Sequence, residues 1–122
     1  MRKRVLTVDD KEYLLAIMET WLSEDFKCLQ ARNATQALSF AEKPDVAVIG
    51  TNLEGTMSGS ELLDELKKRF GIPVMMLTSE YTSSTRIELL KRGADDVMTK
   101  PFHPEELQLR VKRLAKDREK SV

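Results

Sequence analysis

The chain has 122 residues, 41% of them hydrophobic and 33% charged, which is typical of a single globular domain with its own core. Its 20 basic and 20 acidic residues cancel to a net charge of zero, so the whole molecule has no electrostatic attraction for nucleic acid or an anionic membrane. The single cysteine excludes an internal disulfide, no apolar stretch is long enough to span a bilayer, and we predict a cytoplasmic protein.

Short apolar runs alternate along the chain with longer segments of helical periodicity. The runs lie at residues 5–8, 26–29, 46–49, 74–77 and 96–99. Three of them are almost entirely apolar, as expected for parallel strands buried on both faces. Strands that alternate with helices are joined by right-handed crossovers, which place helices on both sides of one sheet. The pattern therefore predicts a doubly wound α/β fold of the (βα)₅ type.

The segments between the runs carry apolar stripes at helical spacing, and we interpret each stripe as core rather than as a partner groove. The stripes are Leu14, Leu15, Met18, Trp21 and Leu22; Leu62, Leu63, Leu66 and Phe70; Ile87, Leu89 and Leu90; and Leu107, Leu109, Val111 and Leu114. Asn33 with Gln36, and Ser58 with Glu61, match the pattern of a capping side chain at a helix start. Gly93 fits the left-handed residue that closes a helix.

We expect one domain over residues 1–122, with 118–122 as a tail or linker. The stretch 110–120 holds six basic and two acidic residues. It is interpreted as the solvated face of the last helix, and a weak contact with an anionic partner is the alternative.

Four of the predicted strands end at residues that could belong to one site. Asp9 and Asp10 follow the first, Gly50 ends the third, Thr78 follows the fourth and Lys100 the fifth. Because the carboxyl ends of parallel strands share one edge of a sheet, we expect these positions to converge there. Each has a simpler interpretation: Asp9 with Glu12 also fits a capping box, and Thr78 and Lys100 can be ordinary strand-end and surface residues.

Five motifs carry a resemblance to a known family: VDD at 8–10, PDVAVIG at 44–50, MLTS at 76–79, GADD at 93–96 and TKPF at 99–102. With them the sequence resembles the receiver (CheY-like) domain of bacterial two-component response regulators over almost its whole length. The resemblance implies a flavodoxin-like three-layer sandwich with a five-stranded parallel sheet in the order 2-1-3-4-5.

In that family an aspartate at the end of the third strand accepts a phosphoryl group from a histidine kinase. By resemblance, Asp9 and Asp10 are the acidic pair that holds Mg²⁺, Thr78 is the hydroxyl that contacts the phosphoryl oxygens, and Lys100 offsets their charge. The same resemblance makes Pro101 a candidate for a cis peptide bond.

The departure from the family is at the phosphoacceptor position, where the motif places Gly50. A glycine has no carboxylate to be phosphorylated, and one metal ligand is lost with it. We therefore expect no required cofactor and at most weak Mg²⁺ binding by Asp9 and Asp10, with Lys100 able to pair with either acid across the vacant pocket. Gly50 is then either drift at an unused site or a source of backbone freedom for the loop that follows.

Further departures lie around this position. The loop after Gly50 is one residue longer than the family pattern, Glu54 stands where the family often has proline, and Val97 replaces the usual aromatic switch residue. Nearby candidates for another acceptor are Asp45, Thr51, Glu54 and Thr56, none of which is expected at the strand end with the required reach.

A charged surface also resembles one subgroup of the family, whose receivers are joined to winged-helix DNA-binding domains and dimerise through helix four, strand five and helix five. The matching pairs are Arg86 with Glu106, Asp96 with Arg110, and Asp95 with Lys112. We call these six residues the charged face. Exposed charge pairs are common on any helical surface, and this is the alternative interpretation.

These observations predict an atypical receiver that is not an enzyme and acts in signal transduction as a phosphorylation-independent interaction or dimerisation module. The alternative is a working phosphoacceptor of a two-component system that controls transcription through a non-standard acceptor. Expected partners are a histidine kinase, an effector domain of its own or a second copy, without direct nucleic-acid or membrane binding.

Overall fold

Strands and helices alternate strictly along the chain. The computed structural model describes residues 2–80 and 82–120, the last four by backbone alone. The strands are β1 (Lys3–Val8), β2 (Phe26–Ala31), β3 (Val46–Gly50), β4 (Val74–Thr78) and β5 (Asp96–Thr99). The helices are α1 (Glu12–Leu22), α2 (Ala34–Leu38), α3 (Gly59–Phe70), α4 (Ser83–Lys91) and α5 (Pro104–Lys120). None of the described helices has the length and apolarity that crossing a membrane requires.

The sheet is parallel throughout, in the order β2-β1-β3-β4-β5, which confirms the predicted topology. Every residue of β3 and β4 is buried, as their continuous apolar sequences predicted. One apolar cluster lies on the face covered by α2, α3 and α4, and a second lies on the face covered by α1 and α5. The two clusters hold the strand ends at fixed positions along one edge.

The predicted helix boundaries are confirmed. The Asn33 side chain accepts a hydrogen bond from Gln36 N at 2.9 Å. Ser58 and Glu61 form a reciprocal capping box, with distances of 3.1 and 3.0 Å. Gly93 follows α4 with a φ of 106°. The helix backbone of α5 continues to Lys120. Of the tail predicted at 118–122, residues 118–120 therefore belong to α5, and 121–122 lie outside the described residues.

Four residues of the apolar stripes are exposed, so the prediction that they belong to the core was wrong. Trp21 is 36% exposed, Ile87 50%, Leu90 51% and Leu109 59%. Of the α4 stripe only Leu89 is buried, because a short helix beside the edge strand β5 buries a narrow strip. Leu109 is two residues from both Leu107 and Val111, and a rotation of about 100° per residue turns it away from the core.

Candidate functional site

The five predicted site positions converge at the carboxyl edge of the sheet. Gly50 and Thr78 are the last residues of β3 and β4. Asp9 and Asp10 follow β1, and Lys100 follows β5 directly. The Lys100–Pro101 peptide bond is cis, as expected. Since β3 and β4 separate β1 from β5, the acidic pair and Lys100 reach the centre of this edge from opposite sides.

Asp9 and Lys100 form an ion pair across that edge. Lys100 Nζ donates to Asp9 Oδ2 at 2.7 Å, and Lys11 N donates to Asp9 Oδ1 at 3.0 Å. The Asp9 side chain is fully buried, and 17% of the Lys100 side chain is exposed. The predicted pairing of Lys100 with one of the two acids is confirmed, and Asp9 is the acid. A buried carboxylate requires a charged partner of this kind.

Because Gly50 has no side chain, the Asp9–Lys100 ion pair can occupy the space beside it. A Cβ atom on Gly50 would lie 2.7 Å from Asp9 Oδ2 and 3.3 Å from Lys100 Nζ. Cβ contacts of less than 3.0 Å are essentially never seen, so any side chain at residue 50 would force the Asp9 carboxylate to move. The missing side chain and the closed ion pair are thus geometrically linked.

Asp10 differs from Asp9. It is half-buried and forms no hydrogen bond or ion pair with any residue that the structure describes. The capping box of Asp9 with Glu12 is not formed, because Lys11 is the residue before α1 and Glu12 pairs with Arg32 at 3.1 Å. That alternative interpretation of Asp9 is therefore wrong.

Thr78 is 1% exposed, and its hydroxyl takes part in the turn that follows β4. Its Oγ1 accepts from Glu80 N at 3.1 Å. Its carbonyl oxygen accepts from Lys100 N at 2.8 Å, which fixes the start of the β5–α5 connection against β4. The hydroxyl thus stabilises the turn directly after β4.

The loop between β3 and α3 is tied down at both ends. Thr51 N donates to Leu77 O at 2.9 Å, and Gly59 N donates to Thr51 O at 3.1 Å. A Cβ atom on Gly59 would stand only 2.0 Å from Gly50 O, so α3 can start here only with a glycine. Sequence analysis did not identify Gly59. The feature that could have indicated its role is that glycine, a poor helix former, occupies the first position of a well-capped helix.

The charged face is partly paired within the chain. Arg110 bonds Asp96 at 3.1 Å and Glu106 at 2.7 Å. Asp95 accepts from Val74 N at 2.8 Å and also pairs with Lys67. Lys112 is 3.7 Å from Asp25, and Arg86 is exposed on α4. Among the predicted pairs, Asp96 and Arg110 bind each other within one molecule.

Three titratable groups have shifted pKa values, and all lie away from the site; for Arg92 the main cause is its hydrogen bond with Asp64, which raises the pKa. Burial is the main cause that raises the pKa of the Cys28 thiol, and the nearby Glu19 carboxylate adds to it. The hydrogen bond from Lys27 is the main cause that lowers the pKa of Glu42, with Arg4 as a second partner. Glu42 thereby links β1 and β2 where the two strands begin, at the edge opposite the site.

This fold, with acids, a hydroxyl and a lysine at one edge, defines the class of flavodoxin-like signalling domains. The family model described as the response regulator receiver domain matches residues 5–112, and the chain belongs to this family. It is a receiver domain of two-component signalling. Such domains are in general non-enzymatic modules that interact with histidine kinases and effector domains.

Solved structures agree with this assignment. A CheY-like receiver from Methanospirillum hungatei is 28% identical with a TM-score of 0.90, and the match covers 100% of both chains. The receiver domain of the Francisella response regulator 1452 is 32% identical over 95% of this chain and 98% of its own, with a TM-score of 0.88. DrrB of Thermotoga maritima, an OmpR/PhoB homolog, is 28% identical over 97% of this chain but 54% of its own, with a TM-score of 0.91.

Receiver domains typically bind Mg²⁺ at an acidic site, and the residues present here fit that ion poorly. Mg²⁺ takes several oxygen ligands in near-octahedral geometry. The described part of the chain contains no group of three His, Cys, Asp or Glu side chains that could hold a metal. Asp9 is already neutralised by Lys100, which leaves Asp10 as the one acid of the pair without a cationic partner among the described residues.

Proposed function

We propose that this receiver domain acts in signal transduction through protein interactions that do not depend on phosphorylation, and that it is not an enzyme. The observation that carries the proposal is the Asp9–Lys100 ion pair beside Gly50. Phosphoryl transfer to a receiver requires a carboxylate nucleophile at that strand end, and a glycine supplies none.

The environment of the other acceptor candidates supports the same proposal. Asp45 precedes β3 at the opposite edge of the sheet, where its carboxylate accepts from Arg4 N at 2.8 Å. Glu54 and Thr56 are exposed in the loop that follows β3. Thr51 is half-buried, and its backbone holds the loop to β4 and α3. The alternative function, a phosphoacceptor with a non-standard residue, lacks an obvious nucleophile.

The test is the intact mass of the chain after incubation with Mg²⁺ and acetyl phosphate, with a conventional receiver treated in parallel. We expect no phosphoryl adduct on this chain and an adduct on the control. A single phosphoryl adduct on this chain would overturn the proposal, and mapping the modified residue would identify the acceptor.

We further propose that the output surface is the α4–β5–α5 face and that a second copy can bind there. Ile87 and Leu90 on α4 are about half exposed, and Arg86 on the same helix is exposed too. A small polar cleft of about 250 Å³ on the same face is lined by Arg86, Glu106 and Arg110 among others. Apolar residues with a charged rim are typical of protein interfaces, and a self-complementary patch gives a two-fold dimer.

Sedimentation of the chain over a range of concentrations tests this second proposal. A concentration-dependent shift from monomer to dimer is expected. A monomer at every concentration would restrict the face to other partners, such as a kinase or an effector domain of the same protein. DrrB supports the latter, because the match spans about half of that protein. We propose a cytoplasmic location and no direct contact with nucleic acid or membrane.

A further inference from the structure

We propose that the Lys100 ammonium takes the place of the metal ion in this site and that Gly50 is the steric requirement for this arrangement. The chain would then hold its carboxyl edge closed by an internal cation and would not use Mg²⁺. This inference rests on the proposed function, because it explains how the site is kept in one state without phosphorylation.

The charges around Asp9 support this role for Lys100. Asp9 is followed directly by Asp10, and two adjacent carboxylates in a cleft need a cation. Lys100 Nζ supplies that cation at 2.7 Å, and both Asp9 oxygens already accept a hydrogen bond, one from Lys100 and one from Lys11 N. A divalent ion would have to displace a charge-assisted hydrogen bond from the fully buried Asp9 carboxylate.

The space around Gly50 supports the second half of the proposal. The Asp9 carboxylate lies 2.7 Å from the position of a Cβ on Gly50, and Lys11 N holds its other oxygen. The carboxylate therefore cannot turn away from residue 50 without losing that bond. Even the methyl group of alanine would push Asp9 out of line with Lys100.

The ion pair also has a mechanical consequence. It joins the end of β1 to the start of the β5–α5 connection over the two strands between them. The backbone of Lys100 is held to β4 by its bond to Thr78 O. The connection leading to α5 is thus held by both the side chain and the backbone of Lys100. The α4–β5–α5 face therefore keeps one arrangement without a ligand.

Thermal unfolding with and without Mg²⁺ tests the proposal in the complete chain. We would compare the wild type, Lys100→Met, Gly50→Ala and the control Lys43→Met. Lys43 is exposed and has no ion pair with the described residues. We expect roughly 10 mM MgCl₂, against NaCl of equal ionic strength, to leave the Tm of the wild type and of Lys43→Met unchanged.

Lys100→Met should lower the Tm by roughly 10 °C and should regain several degrees with MgCl₂, because the acidic pair is then free for a divalent ion. Gly50→Ala should lower the Tm and acquire a Mg²⁺ response in the same direction. The proposal is overturned if the wild type responds to Mg²⁺ as strongly as Lys100→Met, or if Gly50→Ala matches the wild type in both measurements.

A spectroscopic test detects the ion pair directly in the wild type. Ammonium protons of exposed lysines exchange too fast with water to be seen by ¹H–¹⁵N NMR, whereas a buried ion pair slows that exchange. We expect a protected lysine signal that is lost in Lys100→Arg and persists when MgCl₂ is added to the wild type. No protected signal, or one that MgCl₂ abolishes, would overturn the proposal.

The two proposals fail in different ways. A phosphoryl adduct on the wild type would remove the proposed function. An absent adduct together with clear Mg²⁺ stabilisation of the wild type would leave that function intact and would remove the role of Lys100 as the internal cation.

Discussion

Gly59 approaches Gly50 so closely that a Cβ atom on Gly59 would stand 2.0 Å from the carbonyl oxygen of Gly50. The first turn of α3 is thereby pressed against the end of β3. We predict that Gly59→Ala destabilises the domain by at least about 2 kcal/mol, although alanine is normally the better helix former. Urea unfolding measures this, with Ser60→Ala in the same helical turn as the control. Equal stability of the two variants would contradict the close approach.

Thr7 is a second position where the packing leads to a direct prediction. Its side chain is fully buried in β1, and its Oγ1 has no hydrogen-bond partner in the part of the chain that the structure describes. A buried hydroxyl without a partner is costly, so Thr7→Val should stabilise the domain by roughly 1 kcal/mol. Thr7→Ser keeps the hydroxyl and loses the methyl group, and it should destabilise. Urea unfolding of both variants decides, and a loss of stability in Thr7→Val would reveal a partner for the hydroxyl.

Much of the fold was accessible from the sequence because its signals are local. The continuous apolar runs of β3 and β4 predict buried strands, and Ser58 with Glu61 predicts a helix start whatever surrounds them. The exposure of Ile87 and Leu90 was not accessible, since it depends on how little of α4 the edge strand covers. Apolar spacing alone does not distinguish a core stripe from an exposed one.

For the site, too, some features could be predicted from the sequence and others could not. Convergence of Asp9, Thr78 and Lys100 follows from parallel strand ends, and a lysine–acid pair was anticipated. The choice of Asp9 over Asp10 depends on which side chain turns inward, and no local pattern in the sequence determines this. The contact between Gly50 and Gly59 joins two backbone segments in space, so no local pattern predicts it.

The proposed dimer face gives a prediction about Arg110. This residue pairs with Asp96 and Glu106 within the chain, so Arg110→Glu would place three carboxylates together. We expect the dimer to weaken by about tenfold or more, because like charges then meet in the interface. Lys43→Glu makes the same charge change on the α2–β3 loop and should leave association unchanged. Sedimentation velocity of both variants measures this, and equal profiles for Arg110→Glu and the wild-type dimer would exclude the charged face.

Cys28 gives a pH-dependent prediction. Burial and Glu19 raise the pKa of its thiol, so the reactive thiolate is scarcer at neutral pH than in an unfolded chain. We expect 5,5′-dithiobis(2-nitrobenzoate) to react several-fold more slowly with the native protein than with the chain in guanidinium, and Glu19→Gln to accelerate the native reaction.

The same shift has a consequence for stability. Because the folded pKa of Cys28 lies above the unfolded value, its stabilising contribution is complete below the unfolded pKa and is lost as the pH rises through the folded one. Cys28→Ser should therefore flatten the alkaline limb of a stability–pH curve. An unchanged limb, or equal thiol reaction rates in the folded and unfolded chain, would contradict the shift.

Gly50→Asp tests whether the other residues of the predicted phosphorylation site are competent. The new side chain cannot share its space with the present Asp9–Lys100 pair, since its Cβ would lie 2.7 Å from Asp9 Oδ2. The pair must open, and three carboxylates then compete for Lys100 or a metal. We expect the variant to lose roughly 1–3 kcal/mol of stability without Mg²⁺ and to recover part of it with Mg²⁺.

With Mg²⁺ and acetyl phosphate, Gly50→Asp should gain one labile phosphoryl group, which intact mass detects. Gly50→Asn has the same size but no nucleophilic carboxylate, so it should show the steric cost without the adduct. If both variants remain unmodified while folded, the loop held by Thr51 and Gly59 has closed the site, and the barrier to phosphorylation is its geometry as well as the missing acid.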